Sequence, residues 1–498
     1  MGVLGTDYLS GRFGKSGYLT KMRKRKKSKT DPSHPHNQLA KVWGGRFSTG
    51  PAELMEKFSR SIDIDGAMWK EDIAVNRAWA KALRAAKILT AAEENKIQRG
   101  LQTIENEFRR EQFKFLPGDE DIHVAIERRL TELTREAGAK IHTGRSRNDQ
   151  VVTDFRLYLK KRCGELQSAI RHLIGVVVEQ AEASQDIILP GYTHTQQAQP
   201  VRLAHYLLSA FGACRRHSEQ LEQFMCRIDE LPLGCGAVAG TAFPIDREAL
   251  ARELGFARVM ENSIDATGTR NFCGEITFVC ADVCTTLSRY CHDFILWSAQ
   301  EFGFIDPGEK FATGSSMMPN KKNPDAFELV RGKAGVVIGL LTAMMTLQKG
   351  LPVSYSRDLQ EDKKIVFEAL QTTSDCLEVF AGALATCRFR ADRMNAALDS
   401  SLFATDIADY LVRKGIPFRQ AHTIVAQAVQ HAERVAFRLH ELPTSFWRAL
   451  HPAFDDEVIN CFDASVSVER RNAIGGTASE SVRRQLVEAK KWLQEIIS

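Results

Sequence analysis

Four long apolar patterns with helical spacing dominate this chain. From residue 151 to 185, Phe155, Tyr158, Leu159, Leu166, Ile170, Leu173, Val177 and Ala181 lie along one helical face, and the next proline is Pro190. At 1.5 Å per residue such a helix runs about 50 Å. A second pattern covers 201–230, with Leu203, Tyr206, Leu207, Ala210, Leu221, Phe224, Met225 and Ile228. A third covers 272–301, with Phe272, Ile276, Val279, Val283, Leu287, Tyr290, Phe294 and Trp297, and a fourth follows Pro324. Alternating strand patterns are nearly absent. Consecutive helices this long do not close a compact monomer. They suit an elongated bundle whose wide apolar stripes are buried against other subunits. The expected fold class is therefore all-α.

A chain of 498 residues and 55.7 kDa is too long for one core. We expect a basic tail over 1–41, a helical domain over 42–146, a long-helix bundle over 147–396 and a small helical domain over 397–498. The turn signals P-L-G-C-G-A-V-A-G (232–240) and E-F-G-F-I-D-P-G (301–308) separate the long helices. A polar loop falls near 310–323.

The formal net charge of +5 misrepresents the body. Residues 1–41 carry ten Lys/Arg and two Asp, leaving 57 basic against 60 acidic residues, a net of −3. A nucleic-acid reading would rest on the tail alone, through K-M-R-K-R-K-K-S-K (21–29), and the body suggests no such partner. The opening M-G-V-L-G-T also fits the loose myristoylation pattern. No window holds the run of uncharged apolar residues that a membrane span requires, and the N-terminus lacks a secretory apolar core. Eleven cysteines show neither metal spacing nor a disulfide framework. Cys163, Cys214, Cys226, Cys280, Cys284 and Cys291 read as small core residues, which points to reduced thiols and a cytoplasmic protein.

Three stretches are dense in polar groups that are costly to bury. The first is I-H-T-G-R-S-R-N-D-Q (141–150). Arg145 and Arg147 flank Ser146 just before a long helix, where Asn148 or Asp149 can cap it. Paired guanidiniums at a helix N-terminus suit a carboxylate or phosphate, or simply capping with surface ion pairs. The second is G-Y-T-H-T-Q-Q-A-Q-P (191–200), read as a connection between helices. There His194 is either structural or an acid or base near its operating pH. The third is T-G-S-S-M-M-P-N-K-K-N-P-D (313–325). Asn323 as N-cap and Pro324 as first helical residue explain its end. They do not explain Lys321, Lys322 or Glu328. Two lysines and a helix N-terminus make a positive field that eases deprotonation of a serine.

G-S-S-M-M-P-N-K-K-N-P resembles the signature of the fumarase/aspartase superfamily. Within it, the chain is most similar to the argininosuccinate lyase family. The residues behind that choice are W-G-G-R-F (43–47), D-E-D-I-H (119–123), H-T-G-R-S-R-N-D-Q-V-V-T-D (142–154), G-Y-T-H…A-Q-P, S-R-D-L-Q-E-D-K (356–363) and A-T-D-I-A-D-Y-L-V-R-K-G-I-P-F-R-Q-A-H (404–422). The likeness covers everything from residue 43 to about 495.

That resemblance implies a three-domain helical fold and reversible cleavage of argininosuccinate to arginine and fumarate, without metal or organic cofactor. It implies a homotetramer whose central bundle joins the subunits and whose active sites each draw on three of them. Neither nucleic acid nor membrane is implied as a partner. By the family pattern, Ser315 is the candidate base and His194 the candidate acid, with the reverse assignment left open. Glu328 pairs with the histidine, and Lys321 stabilises the dianionic intermediate. Substrate contacts map to Ser61, Asn148, Thr193, Asn323, Tyr355, Gln360 and Lys363. Arg145 and Ser146 would hold carboxylates, and Asp121 and His123 would face the arginine end. Met317 and Met318 are expected to pack the loop on the bundle. Asn271, Gly268, Thr195 and Cys235 depart from the common family residues, none at a catalytic position. Two rivals are a lyase acting on adenylosuccinate, which would not be expected to carry H-T-G-R-S-R-N-D-Q, and a crystallin-like structural protein.

Overall fold

A computed structural model describes residues 51–495. The expected basic tail and W-G-G-R-F lie outside the described residues. Ahead of the main body stands a short helix, Glu53–Ser59, with no buried residue.

From Ser59 on, the chain forms one compact unit built on eleven principal helices. The first three are α1 (Trp69–Ala85), α2 (Ala91–Arg109) and α3 (Ile122–Thr134). Four long helices follow: α4 (Arg147–Ala183), α5 (Leu203–Ile228), α6 (Asn271–Ser298) and α7 (Asp325–Gln348). Last come α8 (Asp362–Thr386), α9 (Ala404–Arg413), α10 (Phe418–Val435) and α11 (Ser479–Glu495). Strands among the described residues occur only as two-stranded pairs.

The helices pack around three apolar cores. The largest joins α4, α5, α6, α7, α8 and α11, with Phe155, Phe224, Phe294, Phe327 and Phe380 fully buried. Phe294, Phe327 and Phe380 meet at ring-centroid distances of 5.2–6.0 Å. Each such ring contributes roughly 2 kcal/mol or more by burial. A second core, around Trp79, Leu83, Ile97, Leu101, Ile126 and Leu130, joins α1, α2 and α3. A third, around Ile407, Leu411, Ile424, Val425 and Trp447, lies under α9 and α10.

The apolar periods located the long helices to within a few residues. The 37-residue α4 starts earlier than its apolar pattern because Ser146 caps it. Ser146 Oγ accepts from the Asn148 N–H at 3.2 Å, and Asp149 Oδ1 accepts from the Ser146 N–H at 2.9 Å. That closes a capping box. The cap is thus Ser146 and not the expected Asn148 or Asp149, although Asp149 completes the box.

Three further expectations fail. Residues 191–200 are not a plain connection but part of a β-hairpin, β1 (Ile188–Thr193) and β2 (Gln196–Arg202). Pro190 and Pro200 sit opposite each other, which two-stranded pairs tolerate because both strands are edges. Cys226 is exposed, while the other ten cysteines are buried and all eleven are free thiols. Helix α7 is long and apolar enough to cross a membrane by length and composition, although no such window was expected. Its Leu329, Val336, Ile338 and Met345 are 46–62% exposed in the single chain.

Candidate active site

A polar centre forms at the start of α4. Asp149 ties it to the 232–240 turn, since its Oδ2 accepts from the N–H groups of Gly234 and Gly236 at 2.9 and 2.8 Å. Both glycines have positive φ, and a Cβ on Gly236 would lie 2.7 Å from the Gly240 carbonyl oxygen. The Trp79 indole holds the segment from α1 by donating to the Thr143 carbonyl at 3.2 Å.

Behind this start lies a buried charged network. His123 on α3 places Nδ1 2.8 Å from Asp72 Oδ1 and 3.0 Å from Asp154 Oδ2. Asp72 also accepts from Gln150 at 2.6 Å and Asn76 at 2.8 Å. Burial opposes charge on His123. The hydrogen bonds to Asp154 and Asp72 outweigh it and push its pKa up to about 10. Burial and the neighbouring Asp72 push Asp154 up, while His123 and Arg145 hold Asp72 below the usual range despite its burial. Among the described residues this is where His, Asp or Glu ligand atoms converge in a group of three. Nδ1 faces both carboxylates, so a proton there is shared with Asp72 and Asp154. His123 is 1% exposed and enclosed, which corrects its expected place at the arginine end.

Arg145, also buried, donates to Asn76 Oδ1 at 2.6 Å. Its Nε and Nη1 find no hydrogen-bond partner among the described residues. A buried guanidinium with two open donors is a built place for a carboxylate. Arg147 is held by Gln150 at 3.0 Å, Glu127 at 3.5 Å and Asp121 at 3.8 Å. Asn148 and Ser146 stand half-buried at the mouth.

Ser61, Gln360 and Lys363 form a second group. Buried Ser61 donates to Asp65 Oδ2 at 2.5 Å, and Gln360 donates to the Ser59 carbonyl at 2.9 Å. Lys363 is buried and bonded to Asp362 at 2.8 Å, with Arg270 on the other carboxylate oxygen at 2.5 Å. Burial works against the Asp362 charge, yet Lys363 and Arg270 keep its carboxyl below the usual range. Tyr355 is half-buried nearby in sequence.

His194 and Thr195 form the hairpin tip, with φ of 54° and 59°. A two-residue turn with both φ positive normally calls for Asn or Gly. Holding His and a β-branched residue there costs about 1–3 kcal/mol each, a kind of strain that clusters at functional sites. Thr193 and His194 are exposed.

The loop before α7 is closed by a short ladder, β3 (Thr313–Gly314) against β4 (Lys322–Asn323). Asn323 therefore lies in a strand, and Pro324 is the residue preceding α7, which corrects both expected capping positions. Ser315 Oγ accepts from the N–H groups of Met317 and Met318 at 3.2 and 3.0 Å. Two donors aimed at one hydroxyl oxygen favour its deprotonated form. Lys322 pairs with Asp306 at 2.7 Å, whereas exposed Lys321 makes no ion pair among the described residues. Met317 and Met318 are 86% and 43% exposed, so neither packs on the bundle in the single chain. Glu328, half exposed, is 4.0 Å from Arg331 and not paired with His194.

One chain thus gathers Arg145, Ser146 and Asn148 at one place, and Ser61, Gln360 and Lys363 at another. Among the described residues no hydrogen bond or ion pair links either group to the His194 tip or the Ser315 loop. Reading the sequence missed Asp72, Asp154 and Asp362, which looked like ordinary helical charges.

Residues 45–339 match a family profile described as Lyase, and 401–469 match one described as Argininosuccinate lyase C-terminal. A protein named argininosuccinate lyase from Roseiflexus castenholzii is 47% identical over 454 residues, covering 91% of this chain and 100% of the relative. One of the same name from Schizosaccharomyces pombe is 44% identical over 446 residues, covering 90% and 97%. Among solved structures, EDDS lyase in complex with formate matches with a TM-score of 0.78 at 27% identity, covering 90% of this chain and 91% of that one. A class II fumarase from Schistosoma mansoni shares the fold, with a TM-score of 0.72 at 16% identity over 83% and 94%. The chain belongs to the argininosuccinate lyase family.

Proposed function

We propose that this protein cleaves argininosuccinate reversibly to arginine and fumarate, the last step of arginine synthesis, in the cytoplasm. Ser315 acts as the base. The observation that carries this reading is the pair of N–H groups on Ser315 Oγ, which stabilise an alkoxide in the field of Lys321. The alkoxide takes the proton from the β-carbon of the succinyl part. The electron pair passes into the adjacent carboxylate as an aci-carboxylate, which Lys321 stabilises. The pair then returns to form the carbon–carbon double bond, the C–N bond breaks, and the guanidino nitrogen leaves with a proton from His194. Glu328 orients the imidazole. Arg145, Ser146, Asn148, Thr193, Asn323, Ser61, Tyr355, Gln360 and Lys363 hold the substrate.

The catalytic groups come together by tetramerisation, with each site drawing on three subunits. What supports this is that no hydrogen bond or ion pair among the described residues joins these groups, together with the exposed apolar positions of α7. Packing those positions against other copies buries what would otherwise be an unusually large apolar surface. The second and third apolar cores support an N-terminal domain to about 146, a central bundle to about 396 and a small C-terminal domain, although Leu231, Leu233, Leu250 and Phe256 join the second core and Val482, Leu486 and Ala489 of α11 join the first.

The test is ultraviolet detection of fumarate from argininosuccinate and, separately, from adenylosuccinate, with the purified protein and Ser315→Ala. Fumarate from argininosuccinate alone, lost in the variant, is the expected result. No fumarate from either, with a folded protein, would contradict the proposal.

A further inference from the structure

The strand that follows His194 is fastened at both ends to the small C-terminal part of the chain. At the start of β2, three residues past His194, the Gln197 side-chain amide donates to the Ala397 carbonyl at 2.9 Å. Its Oε1 accepts from the Asp399 N–H at 3.4 Å. Asp399 also caps the next turn, Ser400–Phe403, by accepting from the Ser401 N–H at 2.9 Å. At the end of β2, the Arg202 N–H donates to Thr477 Oγ1 at 2.7 Å. The Arg202 guanidinium donates to Glu469 Oε1 at 2.5 Å and to the Gln185 carbonyl at 2.8 Å. Glu469 is fixed in turn by the Ser479 N–H and hydroxyl, at 3.1 and 2.8 Å.

The third apolar core runs from Ile407 to Cys461. Ala397 and Asp399 lie where the chain enters that part, and Glu469 and Thr477 where it leaves. Entry and exit are thus clamped to opposite ends of one seven-residue strand. The hairpin tip needs such bracing. Two consecutive non-glycine residues with positive φ persist only where the surroundings over-determine them. Gln197 is the first side chain after the tip that is bonded to another element.

We propose that Gln197 and Arg202 are positioning residues for His194, through which the C-terminal part of the chain fixes where the imidazole stands. Neither residue touches substrate. This rests on the reading of His194 as the catalytic acid. A misplacement of that ring acts on proton transfer to the leaving nitrogen, hence on kcat, and leaves the carboxylate-binding groups on α4 unchanged.

The experiment compares the full-length protein with Gln197→Ala and His194→Asn, measuring kcat, KM and the pH profile of kcat with argininosuccinate. Gln197→Ala should lower kcat about tenfold to a hundredfold, move the limb of the profile that belongs to the acid, and leave KM within about threefold. Unchanged kcat, or a rise in KM alone, with His194→Asn inert, would overturn the positioning role. Wild-type kcat in His194→Asn would instead remove the reading on which it rests. If Gln197→Ala loses its fold, Glu469→Gln at the exposed end of the same clamp provides the same readout. A fall in kcat at constant KM supports the role, and no change overturns it.

Discussion

The start of α4 and the loop before α7 are both polar, and both carry residues assigned to the reaction. They differ in how far one chain completes them. Around α4, Asp72, His123, Asp154, Asn76 and Gln150 meet at 2.6–3.0 Å, and buried donors there, the Nε and Nη1 of Arg145 among them, have no hydrogen-bond partner among the described residues. At the loop, Ser315 is supplied with N–H donors, but Lys321, Glu328, Met317 and Met318 remain exposed, as does the His194 tip. The difference teaches that the charged groups around α4 find partners within one chain, whereas the groups at the loop and the hairpin tip stand exposed, as the proposed sharing of sites between subunits requires.

The largest effect should come from the incomplete region. Ser315→Ala or His194→Asn should each lower kcat by about a thousandfold or more while the fold and assembly persist, checked by steady-state fumarate formation. In the completed region the loss should be of stability. Asp72→Ala leaves the His123 imidazolium, Gln150 and Asn76 without their shared acceptor and should cost about 3–5 kcal/mol in urea unfolding. A variant as stable as the wild type would show that the network is not closed as described.

A charge on the exposed face of α7 separates the regions again. Val336→Lys should disperse the assembly in analytical ultracentrifugation and abolish turnover. Arginine binding to the α4 groups should weaken less than turnover.

The buried histidine gives a pH test. Its folded pKa, near 10, lies above its ordinary 6.5, so its protonation stabilises the fold fully below about 6.5. That contribution declines as pH rises and is gone above about 10. The stability gap between wild type and His123→Gln should therefore narrow steadily between those values, as read from urea midpoints. A gap that widens with pH would reverse the assignment. The smallest effect is expected at the hairpin. Thr195→Gly relieves a β-branched residue at φ 59° and should stabilise by roughly 0.5–1 kcal/mol.

The legibility of these regions in the sequence follows the same division. Long helices were readable because burial imposes a 3.6-residue period on Leu, Ile, Val and Phe, as along Phe155 to Ala181. The hairpin was not, because G-Y-T-H-T-Q-Q-A-Q-P is polar, carries a proline and turns at His-Thr rather than Asn-Gly. Asp72 and Asp154 sit inside helices with charged neighbours, and only the three-dimensional meeting with His123 shows that they are buried. The motif around Ser315 was readable by resemblance. What holds its oxygen, the N–H groups of Met317 and Met318, belongs to the backbone and leaves no residue signal.

The most direct test of the central claim mixes two defects. Ser315→Ala and His194→Asn subunits are purified separately, then dissociated and reassembled together, and fumarate formation from argininosuccinate is followed. The account predicts that each variant alone is inert and that the mixed assemblies recover measurable activity, because some sites then combine an intact Ser315 with an intact His194 from different subunits. Mixed assemblies that form but stay inert would contradict it.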